Sequence, residues 1–436
     1  MKRVLTLLDS TMINVGTIIG SGIFLVPTTI ALYLHSSILT LAVWLVAGVV
    51  TLFGALSMAE LGAAMPRAGG QFVYLREAYG TIWGFLYGWA SFAVINSAAI
   101  AALAVAFATY LGFFNPLTPL QIKLIAILSI VVFTLLNAYG VKTGVWAQNL
   151  LTFLKIGALL AIVVLGLCLE GGDSAHFQPF LPTRSVTSLI GPFGLALVAV
   201  LWSYDGWIEI TYIGGEVRNP GRNIPLSLLY SVTLLIALYI VVNLVFMYLL
   251  SIAGIASSDL VASDAVAVVL GTVGTTLVIL AILISTLGGV HVNVLACPRI
   301  YYAMAEEGLF FQALSRIHPK YGTPAIALLV QGIWSSLLVF TGTFEQLITY
   351  VVFASWIFYA MSCAGVMILR RKQPELDRPY KTWGYPWVPV AFIIFAALLV
   401  LNTIINDPRN ALIGLGLILT GLPAYFYWKG KTVRQQ

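Results

Sequence analysis

Gly16, Gly20 and Gly22 fall inside one apolar run, in the stretch Gly16-Thr17-Ile18-Ile19-Gly20-Ser21-Gly22. Each glycine weakens a helix by about 1 kcal/mol relative to alanine. Small residues at such spacing serve close packing of membrane helices. The Gly20-Ser21-Gly22 cluster also lets the backbone unwind and turn N–H groups toward one point. There the positive end of the resumed helix suits a carboxylate. A second run is interrupted at Trp202-Ser203-Tyr204-Asp205-Gly206-Trp207. Asp205 lies mid-run, where an ionised carboxylate costs about 2.5–3.5 kcal/mol on insertion scales. Gly206 permits a break whose unpaired carbonyls, with negative charge nearby, hold an ammonium. The Asp205 side chain either adds to that charge or caps the second half-helix by accepting its N–H groups, the reading favoured here. Donors on one wall and acceptors on the other match a zwitterion, and a free α-amino acid is a solute of that shape.

Lys155 is the one charge in the apolar run 147–169. At 1.5 Å per residue it lies about 12 Å in from the start of that run. Its ammonium has three possible uses: snorkelling to the interface, bonding to carbonyls of the unwound first helix in place of a coupling cation, or carrying a proton. Other polar residues have plainer readings. Glu60 and Glu216 fall near Arg67 and Arg218, which suggests ion pairs closing an inner vestibule. Glu209 follows Asp205 by one helical turn and either lines the same pathway or pairs with a neighbouring helix. His35, His176 and His318 read as loop or interface residues and His291 as a satisfied bundle histidine. Cys168, Cys297 and Cys363 lack CxxC spacing and read as packing thiols, with neither a disulfide framework nor a metal site.

The elements that must position these residues follow from composition. Hydrophobic residues are 60% of 436 positions and charged ones 9%, against about 25% charged in soluble domains. Runs of roughly 20 apolar residues span a bilayer as helices, and alternating barrel patterning is absent. Twelve runs are expected, at 9–33, 37–63, 82–111, 121–141, 147–169, 190–216, 226–251, 266–297, 323–342, 346–370, 386–404 and 409–428. Placing the N-terminus in the cytoplasm puts eighteen of the 22 Lys and Arg residues on that side. Three, Lys123, Arg184 and Arg409, fall outside, and Lys155 stays within its helix. Both termini are therefore expected in the cytoplasm, and the +6 balance reflects topology rather than nucleic-acid binding. Met1-Lys2-Arg3 precedes a retained first helix, since no small-residue cleavage site follows. Neither HExxH nor a second aspartate at the depth of Asp205 is present, which argues against an intramembrane protease.

The two interrupted runs are the first and the sixth, five apart, the plan of inverted-repeat transporters. The expected division is 1–189 and 190–370 as two repeats, followed by two additional helices in 371–436. Gly16-Thr17-Ile18-Ile19-Gly20-Ser21-Gly22-Ile23-Phe24, Ala59-Glu60-Leu61-Gly62, Pro66-Arg67-Ala68-Gly69-Gly70 and Tyr74 resemble the amino acid–polyamine–organocation superfamily. Trp202 to Trp207, with Gly214-Gly215-Glu216-Val217-Arg218-Asn219-Pro220, narrow the resemblance to the L-type amino acid transporter branch, including bacterial serine/threonine-type exchangers. Pro298-Arg299 and Arg378-Pro379-Tyr380 extend it along nearly the whole chain.

The resemblance implies an all-α, LeuT-like fold of 5+5 inverted repeats with helices 1 and 6 unwound. It implies sodium-independent exchange of small neutral L-amino acids such as Ala, Ser, Cys or Thr. Thr17, Ile18, Gly20, Ser21 and Gly22 would take the carboxylate, and Trp202, Ser203 and Asp205, with Gly206 allowing the break, would take the amine. Lys155 would stand in for the sodium site, with Ser285 and Thr286 against it. Tyr239 matches a seventh-helix tyrosine near the substrate, though alone it reads as an ordinary bundle aromatic. No cofactor or metal is implied. The loop Gly112-Phe113-Phe114-Asn115-Pro116-Leu117-Thr118-Pro119 has no cysteine where animal members bond a heavy chain. A free-standing prokaryotic carrier in the cell membrane is therefore expected.

Overall fold

The computed structural model describes residues 2–182, 185–340 and 344–433. Arg184 and Arg434, both used in the charge bias, lie outside the described residues. The first half of the chain forms α1 (Leu7–Ile18), α2 (Gly22–Leu34), α3 (Ser37–Ala64), α4 (Gln71–Tyr79), α5 (Thr81–Ala90), α6 (Asn96–Leu111), α7 (Pro119–Ala138), α8 (Val141–Cys168) and α9 (Val186–Tyr204). The second half forms α10 (Pro220–Leu249), α11 (Ile252–Ala256), α12 (Val261–Ala296), α13 (Pro298–Glu306), α14 (Ala325–Leu338), α15 (Phe344–Lys372), α16 (Trp387–Asn406), α17 (Pro408–Leu419) and α18 (Gly421–Val433). Among the described residues there is no strand, only an isolated bridge between Leu5 and Val217.

Local sequence explains several starts. Thr6 and Asp9 form a reciprocal capping box on α1, and Thr118 and Gln121 do the same on α7, with Pro119 in its first turn. Five residues, Ser91–Ile95, join α5 to α6 as a π-turn within one long span. Nine helices among the described residues are long and apolar enough to cross a membrane. The pair α1 and α2, bent by 43°, makes a tenth if counted as one span. Ser188–Tyr204 and Ala325–Leu338 are apolar but shorter. Leucine and isoleucine side chains such as Leu128, Ile190 and Leu412 stand exposed on the outer helices, a surface suited to lipid rather than water.

The inner helices carry the polar chemistry. α1 lies against α8, α10 and α12, while α2 lies against α9. The sixth run departs from a continuous helix over 190–216. α9 stops at Tyr204, and only 3-10 turns at Glu209–Thr211 and Gly214–Glu216 follow. Hydropathy alone cannot detect this stop, because Trp207, Ile208, Ile210 and Ile213 continue the apolar composition. The seventh helix starts at Pro220 rather than near 226, accommodating Pro225 in its second turn. Beneath the broken sixth run, the N–H groups of Val4 and Leu5 donate to Glu216 O at 2.8 and 2.9 Å, and Arg218 N–H donates to Leu5 O at 2.9 Å. The N-terminal stretch is thereby fastened across the end of that run.

Candidate functional site

The first break is built by glycine in two different ways. A Cβ on Gly16 would collide with Gln148 and Thr152 of α8, and one on Gly22 would collide with Ser203. These two positions hold neighbouring helices close. A Cβ on Gly20 would meet nothing nearer than Ile18 O at 4.0 Å, so this residue faces open space. The first N–H groups of α2 lack intrahelical partners, and Ser21 gives them no side-chain cap. The hydroxyls of Ser21 and Ser203 are buried without hydrogen-bond partners.

The second break places Gly206 at φ +91°, a backbone shape that L side chains resist. A Cβ there would also strike the Thr17 side chain, so the two breaks are in direct contact. Asp205 sits at the C-terminal end of α9, and its carboxylate accepts from the Tyr359 hydroxyl at 2.8 Å. The expected capping of a second half-helix by Asp205 is corrected: no α-helix follows it, and its side chain is committed to α15. Tyr359 is in turn set against Trp207, ring centroids 5.2 Å apart.

Tyr239 of α10 joins the two breaks. Its hydroxyl lies 3.1 Å from Ile18 O and 3.2 Å from Ser203 O, so its one proton can serve the last turn of either α1 or α9. Trp44 and Tyr204 hold the ring at centroid distances of 5.4 and 5.2 Å.

Lys155 is buried, 1% exposed, which rules out snorkelling. Its Nζ donates to Gly16 O at 2.6 Å and to Ile19 O at 2.7 Å. Ser285 of α12 donates to the same unwound segment, 3.0 Å from both Ile19 O and Gly20 O. Thr286 instead donates to Ile282 and Leu283 of its own helix. Gly288 gives the lysine its room, since a Cβ there would sit 2.6 Å from Lys155 Cε. One turn earlier on α8, Thr152 donates to Met12 O at 3.0 Å and receives Gln148 Nε2 at 3.1 Å. Gln148 Oε1 lies 2.8 Å from His291 Nδ1, which makes Nδ1 the protonated nitrogen of that ring. Carbonyls that α1 loses by unwinding are thus satisfied by α8 and α12.

A cavity of about 50 Å³ lies between the breaks. Thr17, Ile18, Gly20, Ser21, Gly22, Trp202, Ser203, Asp205 and Gly206 line it, together with Ala99, Leu103, Glu209 and Asn293. Tyr239 stands behind its wall rather than on it. Ala99, Leu103 and Asn293 have no sequence signal; they are unremarkable residues of spans unbroken at those positions. Glu209 is buried and has no ion-pair partner among the described residues. The Thr17 Oγ1 that reaches its carboxylate is 3.4 Å away and also donates to Ile13 O at 2.8 Å.

The acidic residues near the helix ends find partners other than those expected. Glu216 pairs with Arg299 at 2.9 Å, both buried, and not with Arg218. Glu60 takes Arg370 through two bonds at 2.8 and 2.6 Å, with Arg378 at 3.5 Å and the Thr382 hydroxyl at 2.8 Å, and not Arg67. Cys297 and Cys363 are buried, but Cys168 is exposed at the end of α8 rather than packed. Among the described residues no three His, Cys, Asp or Glu side chains cluster as metal ligands.

Residues 5–422 match the family model described as amino acid permease. The serine/threonine exchanger SteT of Bacillus subtilis is 32% identical, the match covering 98% of this chain and 97% of that protein. The human b(0,+)-type amino acid transporter 1 is 33% identical over 98% of this chain and 88% of its own length. The human cystine/glutamate transporter is 33% identical over 98% and 85%. This chain belongs to the amino acid permease family of the amino acid–polyamine–organocation superfamily, a family of membrane transporters and not of enzymes.

Proposed function

We propose that the chain exchanges small neutral L-amino acids, of the Ala, Ser, Cys or Thr kind, across the cell membrane without sodium. The observation that carries the reading is the meeting of two helix breaks at one cavity, with free N–H groups of α2 on one side and carbonyls at the end of α9 on the other. That polarity suits the carboxylate on Thr17, Ile18, Gly20, Ser21 and Gly22 and the amine on Trp202, Ser203 and Asp205. The nine membrane-length spans, the bent pair and the two shorter apolar helices make twelve spans on this reading. The spans divide into repeats at 1–189 and 190–370 plus two further helices, with both termini in the cytoplasm.

Size and charge support the substrate class. A cavity of about 50 Å³ is small against the roughly 300–1,000 Å³ of drug-sized pockets. Asp205 and Glu209 line it and no cationic side chain does, which opposes an acidic substrate. Two short carbonyl contacts suit an ammonium on Lys155, occupying the place a coupling cation would need. The cysteine-free loop 112–119 favours a carrier of prokaryotic type without a heavy chain. Uptake of labelled serine into liposomes loaded with unlabelled serine, compared with empty liposomes, tests the proposal. Exchange predicts uptake only in the loaded vesicles. Equal uptake in empty ones would sink it, and accumulation driven by a pH gradient alone would point to proton symport through Lys155.

A further inference from the structure

A groove of about 600 Å³ lies away from the substrate cavity, between the first turns of α10 and the segment before α16. Arg3 and Arg222 both line it, exposed and neither within ion-pair distance of a carboxylate among the described residues. Arg222, Leu226 and Leu229 all line it, spaced four and three residues apart, so they form one stripe along the helix. The stripe runs from charge to hydrocarbon in the direction in which α10 enters its membrane-spanning length. Trp383, from the segment before α16, also lines it and is 61% exposed, an aromatic suited to a membrane interface. The groove is held in shape from both sides. Pro379 lies so close to Gly221 that a Cβ there would be 2.9 Å from it. The bonds from Val4 and Leu5 to Glu216 O fix the backbone next to Arg3.

We propose that this groove binds one anionic phospholipid, its phosphate between Arg3 and Arg222 and an acyl chain along Leu226 and Leu229. Two unpaired guanidiniums match a phosphodiester, which guanidinium forks recognise well. The apolar stripe below them has no role for a soluble anion. A bound lipid would brace the N-terminal stretch against α10, at the end of the chain segment that carries the second break.

The test is native mass spectrometry of the full-length protein taken from nanodiscs of equimolar phosphatidylglycerol and phosphatidylcholine. The expected result is retention of one phosphatidylglycerol in preference to phosphatidylcholine. Arg3→Gln and Arg222→Gln should each lower that preference by about fivefold, as expected for one interfacial cation, while Arg409→Gln leaves it unchanged. Leu226→Asn should weaken lipid retention as well. Equal retention of the two lipids by the unaltered protein would overturn the proposal. So would displacement of the lipid by millimolar inorganic phosphate, which would make the groove a soluble-anion site, or an unchanged preference in the Arg3→Gln, Arg222→Gln double variant. Neither the first comparison nor the phosphate competition needs a variant to fold.

Discussion

At the scale of single residues, Lys155 and Tyr239 do the same kind of work from opposite sides. Each supplies donors to carbonyls that an unwound or ending helix has left without intrahelical partners. Removing the lysine leaves Gly16 O without its donor while Ile19 O keeps Ser285, and an unsatisfied buried group costs about 1–3 kcal/mol. Lys155→Ala should therefore lower exchange by about tenfold, since 1.4 kcal/mol is a factor of ten. A variant that exchanges at the unaltered rate in loaded liposomes would refute the role. Tyr239→Phe removes one hydroxyl shared by two carbonyls, with an expected cost of about 1 kcal/mol and roughly fivefold weaker substrate binding by titration. The depth of Lys155 was legible from its position in an apolar run. Which carbonyls it meets was not, because these depend on how far α1 unwinds. Asp205 shows the reverse case: a helix cap was the natural reading, but the Tyr359 hydroxyl that claims it comes from 154 residues away.

At the scale of elements, the two breaks hold each other in place. Thr17 at the end of α1 occupies the space a side chain at 206 would need, and Gly206 has φ +91°. Gly206→Ala should combine a left-handed backbone penalty of roughly 1–2 kcal/mol with that collision. The collision falls mainly on Thr17 Cγ2, so Thr17→Ser in the same chain should recover part of the lost thermal stability, read by a melting curve in detergent. No recovery would show that the contact is not what limits the site. The buried Glu216–Arg299 pair ties the end of the sixth run to the start of α13. Breaking it with Arg299→Gln should destabilise by about 3–5 kcal/mol, because a carboxylate stays buried alone. Chemical denaturation against the unaltered protein measures the difference, and a change under 1 kcal/mol would contradict it. Glycine patterns made the breaks legible, whereas the ion pairs were assigned to neighbours in sequence. Glu60 and Arg370 are 310 residues apart, and only the packing of α15 against α3 brings them together.

At the scale of the whole molecule, composition alone required a helical membrane protein, because a chain with 9% charged residues cannot cover a soluble surface. Where each helix stops was less legible. The apolar composition persists through 205–216 while the backbone abandons the α-helix, and Pro225 lies inside a helix rather than ahead of one. The stop of α9 at Tyr204 lies beside the cavity, where a broken helix exchanges its own hydrogen bonds for ones to a solute. The full account comes down to whether that cavity moves amino acids in both directions in one coupled cycle. The direct measurement is uptake of labelled serine by purified protein in sodium-free liposomes, with and without unlabelled serine inside and at equal pH on both sides. The account predicts uptake that appears only with internal serine and is unchanged when sodium is added. Uptake into empty vesicles, or uptake that requires sodium, would contradict it.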